Sequence, residues 1–359
     1  MQLGLFTMPL HPPGANFTET LQSDLAQIVA LDELGYTEAW IGEHFTSEWE
    51  NIPSPELFIA QALALTKQIR LGTGVSCMPN HNPFVLASRI AQLDHMAQGR
   101  FNWGIGTGSF PGDMQVFGYW GEEATVDNAA YTRASLDTIL QLWADPKPGV
   151  YETEWWKFTI PETEDDIGLR AHVRPYQTPH PPIALAGVSP HSTTLRMAGA
   201  RGWIPMSINL IPPNLLQTHW QAIEEGAREA GRAPDRGVWR VAREIFVAES
   251  AAEARKEALE GVMARDFQDY FLRLLPKVGM LGLLKNDPDM ADSDVTMEYL
   301  VDNVFIVGSV DEVAQKLNDL KGQIGDFGTL MAMGHEWEPY GAWHQSMSLL
   351  KNEVLAKVD

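Results

Sequence analysis

The chain has 359 residues, 45% of them hydrophobic, with 47 acidic against 26 basic side chains and a formal net charge of -21. That balance repels nucleic acid and anionic membrane surfaces, and no run of Lys or Arg forms a phosphate-tracking patch. The single cysteine, Cys77, excludes an internal disulfide, and no apolar run approaches the roughly 20 residues of a membrane span.

MQLGLFTMPL opens as a strand at 3–6, with no basic n-region and no cleavage site, which predicts a soluble cytoplasmic protein. A helix follows over 18–34. Strands at 39–41, 69–75 and 101–105 precede amphipathic segments at 55–67, 84–97 and 128–142. Further on, 183–186 precedes 192–200, 203–206 precedes 214–229, and late strands fall at 239–247, 303–307 and 328–333. Such alternation requires parallel strands, and about eight units predict a closed (β/α)8 TIM-type barrel; an open doubly wound sheet is the competitor. No repeat or linker divides the chain, so 1–359 reads as a single domain. Two stretches break the pattern, about 145–181 and 262–300. Loops of that length are functional lids or disordered, and Trp155, Trp156 and Phe158 argue against disorder in the first.

A parallel barrel carries its site at the C-terminal ends of its strands. Those ends read Thr7-Met8-Pro9, Glu43-His44, Gly74-Val75-Ser76-Cys77 and Gly106-Thr107-Gly108. The later ones read Gly187-Val188-Ser189, Met206-Ser207-Ile208 and Gly334-His335-Glu336-Trp337. Small residues recur where backbone approaches a ligand closely, which suits a cofactor-sized pocket better than a metal cage. Met8, Cys77, Met206, His335 and Trp337 are the candidate substrate wall. A lone histidine is more often a satisfied core residue, but the strand-end position of His44, facing glycines, favours a site. There it would handle protons, with Glu43 setting its tautomer or charge. His81 and His95 read as structural or surface residues, and Cys77 as a buried, inert thiol.

GIGTGSFPG at 104–112 fails as a dinucleotide motif: its third glycine comes one residue early, and Pro111-Gly112 replaces the helix start. The better anion candidate is AGVSPHSTTLRMAG, where a turn after Ala186 leads to Ser192 and Thr193 opening a helix. An ordinary N-cap is the alternative reading of Ser192.

EAWIGEHF, followed by WENIPSPELFIAQALALTKQIRLGTGVSCMPNHNPF and GRFNWGIGTGSFPGDMQVFG, resembles the bacterial luciferase-like monooxygenases. Through WENIPSPELFIA and GDFGTLMAMGHEW it is most similar to the limonene and diketocamphane monooxygenase branch. The resemblance implies a (β/α)8 barrel that takes reduced FMN from a separate NAD(P)H:flavin reductase and uses O2 as co-substrate. It places the family's strand-two histidine on His44 and its third-strand bulge, often a non-prolyl cis peptide, on Gly74 and Val75, beside Ser76. It places the phosphate turn on Gly187, Val188, Ser189, Ser192 and Thr193. Luciferase carries an arginine near the phosphate where this chain has Thr107, which leaves amides and hydroxyls, with Arg196 as a substitute cation.

The implied reaction inserts one oxygen atom into a small hydrophobic substrate such as a cyclic ketone or terpene. A deazaflavin-dependent oxidoreductase and a non-catalytic flavin-binding protein are the rival readings. The helices at 55–67 and 84–97 are apolar on more than one face, which predicts a homodimer built on them.

Overall fold

Eight parallel strands close into a barrel in the computed structural model, which describes residues 1–121, 124 and 126–358. They are β1 Gln2–Thr7, β2 Glu38–Ile41, β3 Arg70–Cys77, β4 Phe101–Gly106, β5 Ile183–Gly187, β6 Ile204–Ser207, β7 Arg240–Arg243 and β8 Thr329–Met333. Each pairs with its sequence neighbour, and β8 returns to β1. The outer helices are α1 Phe17–Leu34, α2 Pro55–Leu65, α3 Pro83–Ala97, α4 Asn128–Ala144, α5 Thr193–Arg201, α6 Pro213–Glu229, α7 Val310–Ile324 and α8 Tyr340–Leu349.

Strands buried on both sides favour apolar residues at successive positions, which is why β2, β6 and β8 carry the runs Ala39–Ile41, Ile204–Met206 and Leu330–Met333. Their outward side chains, among them Leu3, Ile41, Leu71, Trp103 and Leu185, join the helices in one large core. The inward ones form a separate cluster of Trp40, Ala184, Met206, Ala242, Met331 and Met333. Trp40 fills the barrel because Gly72 opposite has no side chain; a Cβ there would lie 2.6 Å from the indole. Below it, Arg240 donates to both oxygens of the buried Glu38 at 3.0 and 2.9 Å, a half-buried pair on the stabilising face of the barrel.

The predicted strand at 239–247 divides. It leaves the barrel at Glu244 and resumes as Ile245–Ala248, pairing with Ile306–Ser309 in a two-stranded sheet outside the barrel. The predicted 303–307 strand therefore lies outside the barrel. The cause is Glu244, which is buried and tied by hydrogen bonds to Asn209 after β6 and His335 after β8.

The two insertions diverge. In 145–181, the hairpin Gly149–Glu152 with Lys157–Ile160 lies against the outer helices, its Phe158 ring 5.3 Å from Phe84 of α3. The 262–300 stretch folds over the C-terminal mouth of the barrel and supplies Phe271 and Met280 to its wall. Only the second covers the site.

Candidate active site

A cavity of about 620 Å³ opens at the C-terminal ends of the strands. Phe6, Met8, Ile105, Leu185, Met206 and Met333 make most of its wall apolar, and Glu43, His44, Cys77 and Thr107 add polar points. On β3 the register against β4 shifts between Thr73 and Ser76, and the Gly74–Val75 peptide there is cis. This bulge turns Val75 toward the cavity, where Gly106 makes room: a Cβ on Gly106 would lie 2.6 Å from the valine.

His44 sits between two buried carboxylates. Its Nδ1 lies 3.2 Å from Asp113 Oδ2 and its Nε2 lies 2.8 Å from Glu50 Oε2, with the Phe110 ring 4.7 Å away. Burial lowers its pKa, but the charges of Glu50 and Asp113 outweigh that and hold it at about 10. At neutral pH it is therefore a fixed imidazolium and not a group poised near 6.5. The Asp113 side is the better-made contact. Asp113 also accepts from the Phe45 and Thr46 amides at 3.1 and 2.9 Å, whereas Glu50 Oε2 has no well-directed hydrogen bond. The Nε2–H of His44 is thus the less committed donor.

Glu43 does not set the state of His44. It lines the cavity, but its oxygens accept from Asn80 Nδ2 at 3.0 Å and from His81 Nε2 at 2.8 Å. Arg89, which can only donate, meets His81 Nδ1 at 3.0 Å and so fixes the tautomer that carries its proton on Nε2. His81 is the positioning partner of Glu43. His95 is exposed and meets the Arg174 carbonyl, away from the cavity.

Of the other predicted residues, Gly74, Val75, Thr107, Val188 and Thr193 line the cavity, as do Met8, Cys77 and Met206. Burial pushes the Cys77 thiol well above its usual range, so it stays protonated. Ser76 lies behind the wall, accepting from Trp103 Nε1 at 3.2 Å. Gly187 is a packing residue, since a Cβ there would come within 2.4 Å of Leu195 of α5. Ser189 is exposed, and its carbonyl accepts from His219 Nε2 at 3.0 Å. Ser192 is buried as the N-cap of α5, accepting from the Leu195 amide at 3.3 Å.

His335 and Trp337 stand outside the cavity wall. His335 is clamped by Asp266 Oδ2 and Glu244 Oε2, both at 2.8 Å; burial lowers its pKa, yet the two carboxylates raise it to about 9. It ties β7 to the insertion. Trp337 belongs to the apolar core. Arg196 is exposed and paired with Glu229, so it is no substitute cation. Arg133 of α4 stands on the wall as a further cation; it has no ion pair among the described residues and shares the cavity with Thr193 and Thr194 at the start of α5. The short helix Pro111–Val116 does begin at Pro111, against the sequence expectation, and its first turn supplies Asp113.

A model of luciferase-like monooxygenases matches residues 1–326. The chain belongs to the luciferase-like monooxygenase family. This family member is 32% identical to 3,6-diketocamphane 1,6-monooxygenase of Pseudomonas putida, over all of its own length and 98% of the relative's. It is 36% identical to 4-hydroxyprotoasukamycin monooxygenase of Streptomyces nodosus subsp. asukaensis, covering 99% and 91% of the two chains. To limonene 1,2-monooxygenase of Rhodococcus erythropolis it is 28% identical, covering 99% and 86%. The solved oxygenating constituent of the Pseudomonas putida 3,6-diketocamphane enzyme, a type II Baeyer-Villiger monooxygenase in complex with FMN, superposes with a TM-score of 0.92. The identity is 33%, over 100% of this luciferase-like monooxygenase and 99% of that chain. The barrel and the branch expected from the sequence are both found.

Proposed function

We propose that this chain is the oxygenating component of a two-component monooxygenase. It takes reduced FMN from a separate flavin reductase and inserts one atom of O2 into a small hydrophobic molecule such as a cyclic ketone or terpene. The cofactor is FMN, as in the complex of the 3,6-diketocamphane relative, and that relative's being an oxygenating constituent supports the two-component reading. A flat ring system, a polyol and a phosphate suit this cavity. Gly106 leaves room for Val75, which the β3 bulge turns toward the cavity as an apolar support for a ring, while Arg133 and the α5 N-terminus offer positive charge to a phosphate.

The observation that carries the reading is a charged imidazole on the wall of a large, mostly apolar cavity at the barrel mouth. When bound, the flavin supplies the activation of O2. The chain's own part is to hold the phosphate, to exclude water with Phe271, Met280 and the barrel methionines, and to keep a proton at His44 Nε2.

The test is turnover with a flavin reductase, NADH and isotopically heavy O2 over a panel of cyclic ketones and monoterpenes. Products carrying one heavy oxygen support the reading. Peroxide alone across the panel, or turnover without O2 on a deazaflavin, would sink it.

A further inference from the structure

A second cavity, of about 330 Å³, lies outside the barrel mouth, between the end of β7, the start of α6, α7 and the 281–284 turn of the insertion. Arg243 forms part of its wall while being 4% exposed. Its Nη1 donates to the Ala242 carbonyl at 2.9 Å and more weakly to that of Asn209, but Nη2 has no partner. No carboxylate pairs with it among the described residues. The adjacent Glu244 is committed to Asn209 and His335, and burial alone pushes the guanidinium down to about 10. A buried, unpaired charge is costly, so a fold that keeps one in the wall of a cavity has a use for it.

We propose that Arg243 anchors a second ligand site, which takes a small organic carboxylate. The volume falls at the lower end of small-molecule sites, roughly 300–1,000 Å³. Lys316 stands on the same wall, its Nζ donating to the Val307 carbonyl at 2.9 Å. Leu283, Leu284 and Phe305 provide the surface for a hydrocarbon body. Asp302 and Asp319 also border the cavity and disfavour a dianion; Asp302 is occupied by Arg255 and Asp319 by Gln315. A guanidinium matched to one carboxylate, with apolar surface beside it, selects a monoanion.

Crystals of the full chain soaked in ω-bromohexanoate test this directly, because bromine anomalous scattering locates the ligand. A peak in this cavity, with the carboxylate on Arg243, is the expected result; bromine only in the barrel mouth, or nowhere, overturns the proposal. In solution, hexanoate should bind and hexanol should not. Arg243→Met should weaken hexanoate by roughly tenfold or more. Equal binding of acid and alcohol to the unaltered chain would also overturn it, whether or not the variant folds.

Discussion

Tyr270 of the insertion donates its hydroxyl to Glu50 Oε1 at 2.5 Å, and the other oxygen of that carboxylate lies 2.8 Å from His44 Nε2. The segment that covers the cavity is therefore joined, through one carboxylate, to the charged imidazole on its wall. Removing the hydroxyl in Tyr270→Phe leaves a buried carboxylate short of a donor, a loss of about 1–3 kcal/mol. The expected outcome is a lower melting temperature and fewer products per NADH, with FMN affinity within a few-fold of the parent. Unchanged coupling would make Tyr270 a packing residue only.

We expect His44 to stabilise the fold as well as to take part in the proposed chemistry. Its pKa is raised from 6.5 to about 10, so its stabilising contribution is complete below the unfolded value and is lost as pH rises through about 10. The stability gap between the parent and His44→Gln should accordingly be largest near pH 6 and shrink toward pH 10. Urea unfolding at several pH values measures it. A constant gap would show that the imidazole is neutral in the fold.

The same residue should matter to turnover. A group that holds or moves a proton contributes on the order of 10²–10⁴-fold. His44→Gln, assayed at a temperature where it remains folded, should release peroxide in place of oxygenated product. Full coupling in that variant would remove His44 from the chemistry.

Phosphate recognition separates two flavins that differ only there. Arg133→Ala should weaken FMN by about ten- to a hundredfold, as expected for a lost charged hydrogen bond, and leave riboflavin nearly unchanged. Ser192→Asp keeps an N-cap residue while adding negative charge at the start of α5, and should act in the same direction. Equal losses for FMN and riboflavin would place the phosphate elsewhere.

Assembly is the fifth expectation. Leu57 and Leu65 of α2 are 74% and 53% exposed, and Val85 and Met96 of α3 are 49% and 51% exposed. The insertion over 262–300 covers the mouth and leaves these side chains open, so we expect α2 and α3 to pack against a second copy. Light scattering should give about twice 39.9 kDa, and Leu57→Glu with Met96→Glu should return the monomer. A parent mass at the monomer value would refute the dimer.

The barrel, its parallel order and the strand ends that carry the cavity were legible in the sequence, because side-chain direction repeats with the local backbone and shows as periodic apolar residues. His44, Thr107 and Val188 fall at such ends and stand on the cavity wall, as does Thr193 at the start of α5. What these residues touch was not legible. His44 meets Asp113 from 69 positions away, Glu50 meets Tyr270 from 220, and Glu43 turns to His81. His335 and Trp337 share a strand end with cavity residues yet face a buried clamp and the core. The sequence by itself determined which strand ends meet at the mouth of the barrel. The closed tertiary structure decided which of them pair, and with what charge, because burial and facing carboxylates exist only once distant segments meet.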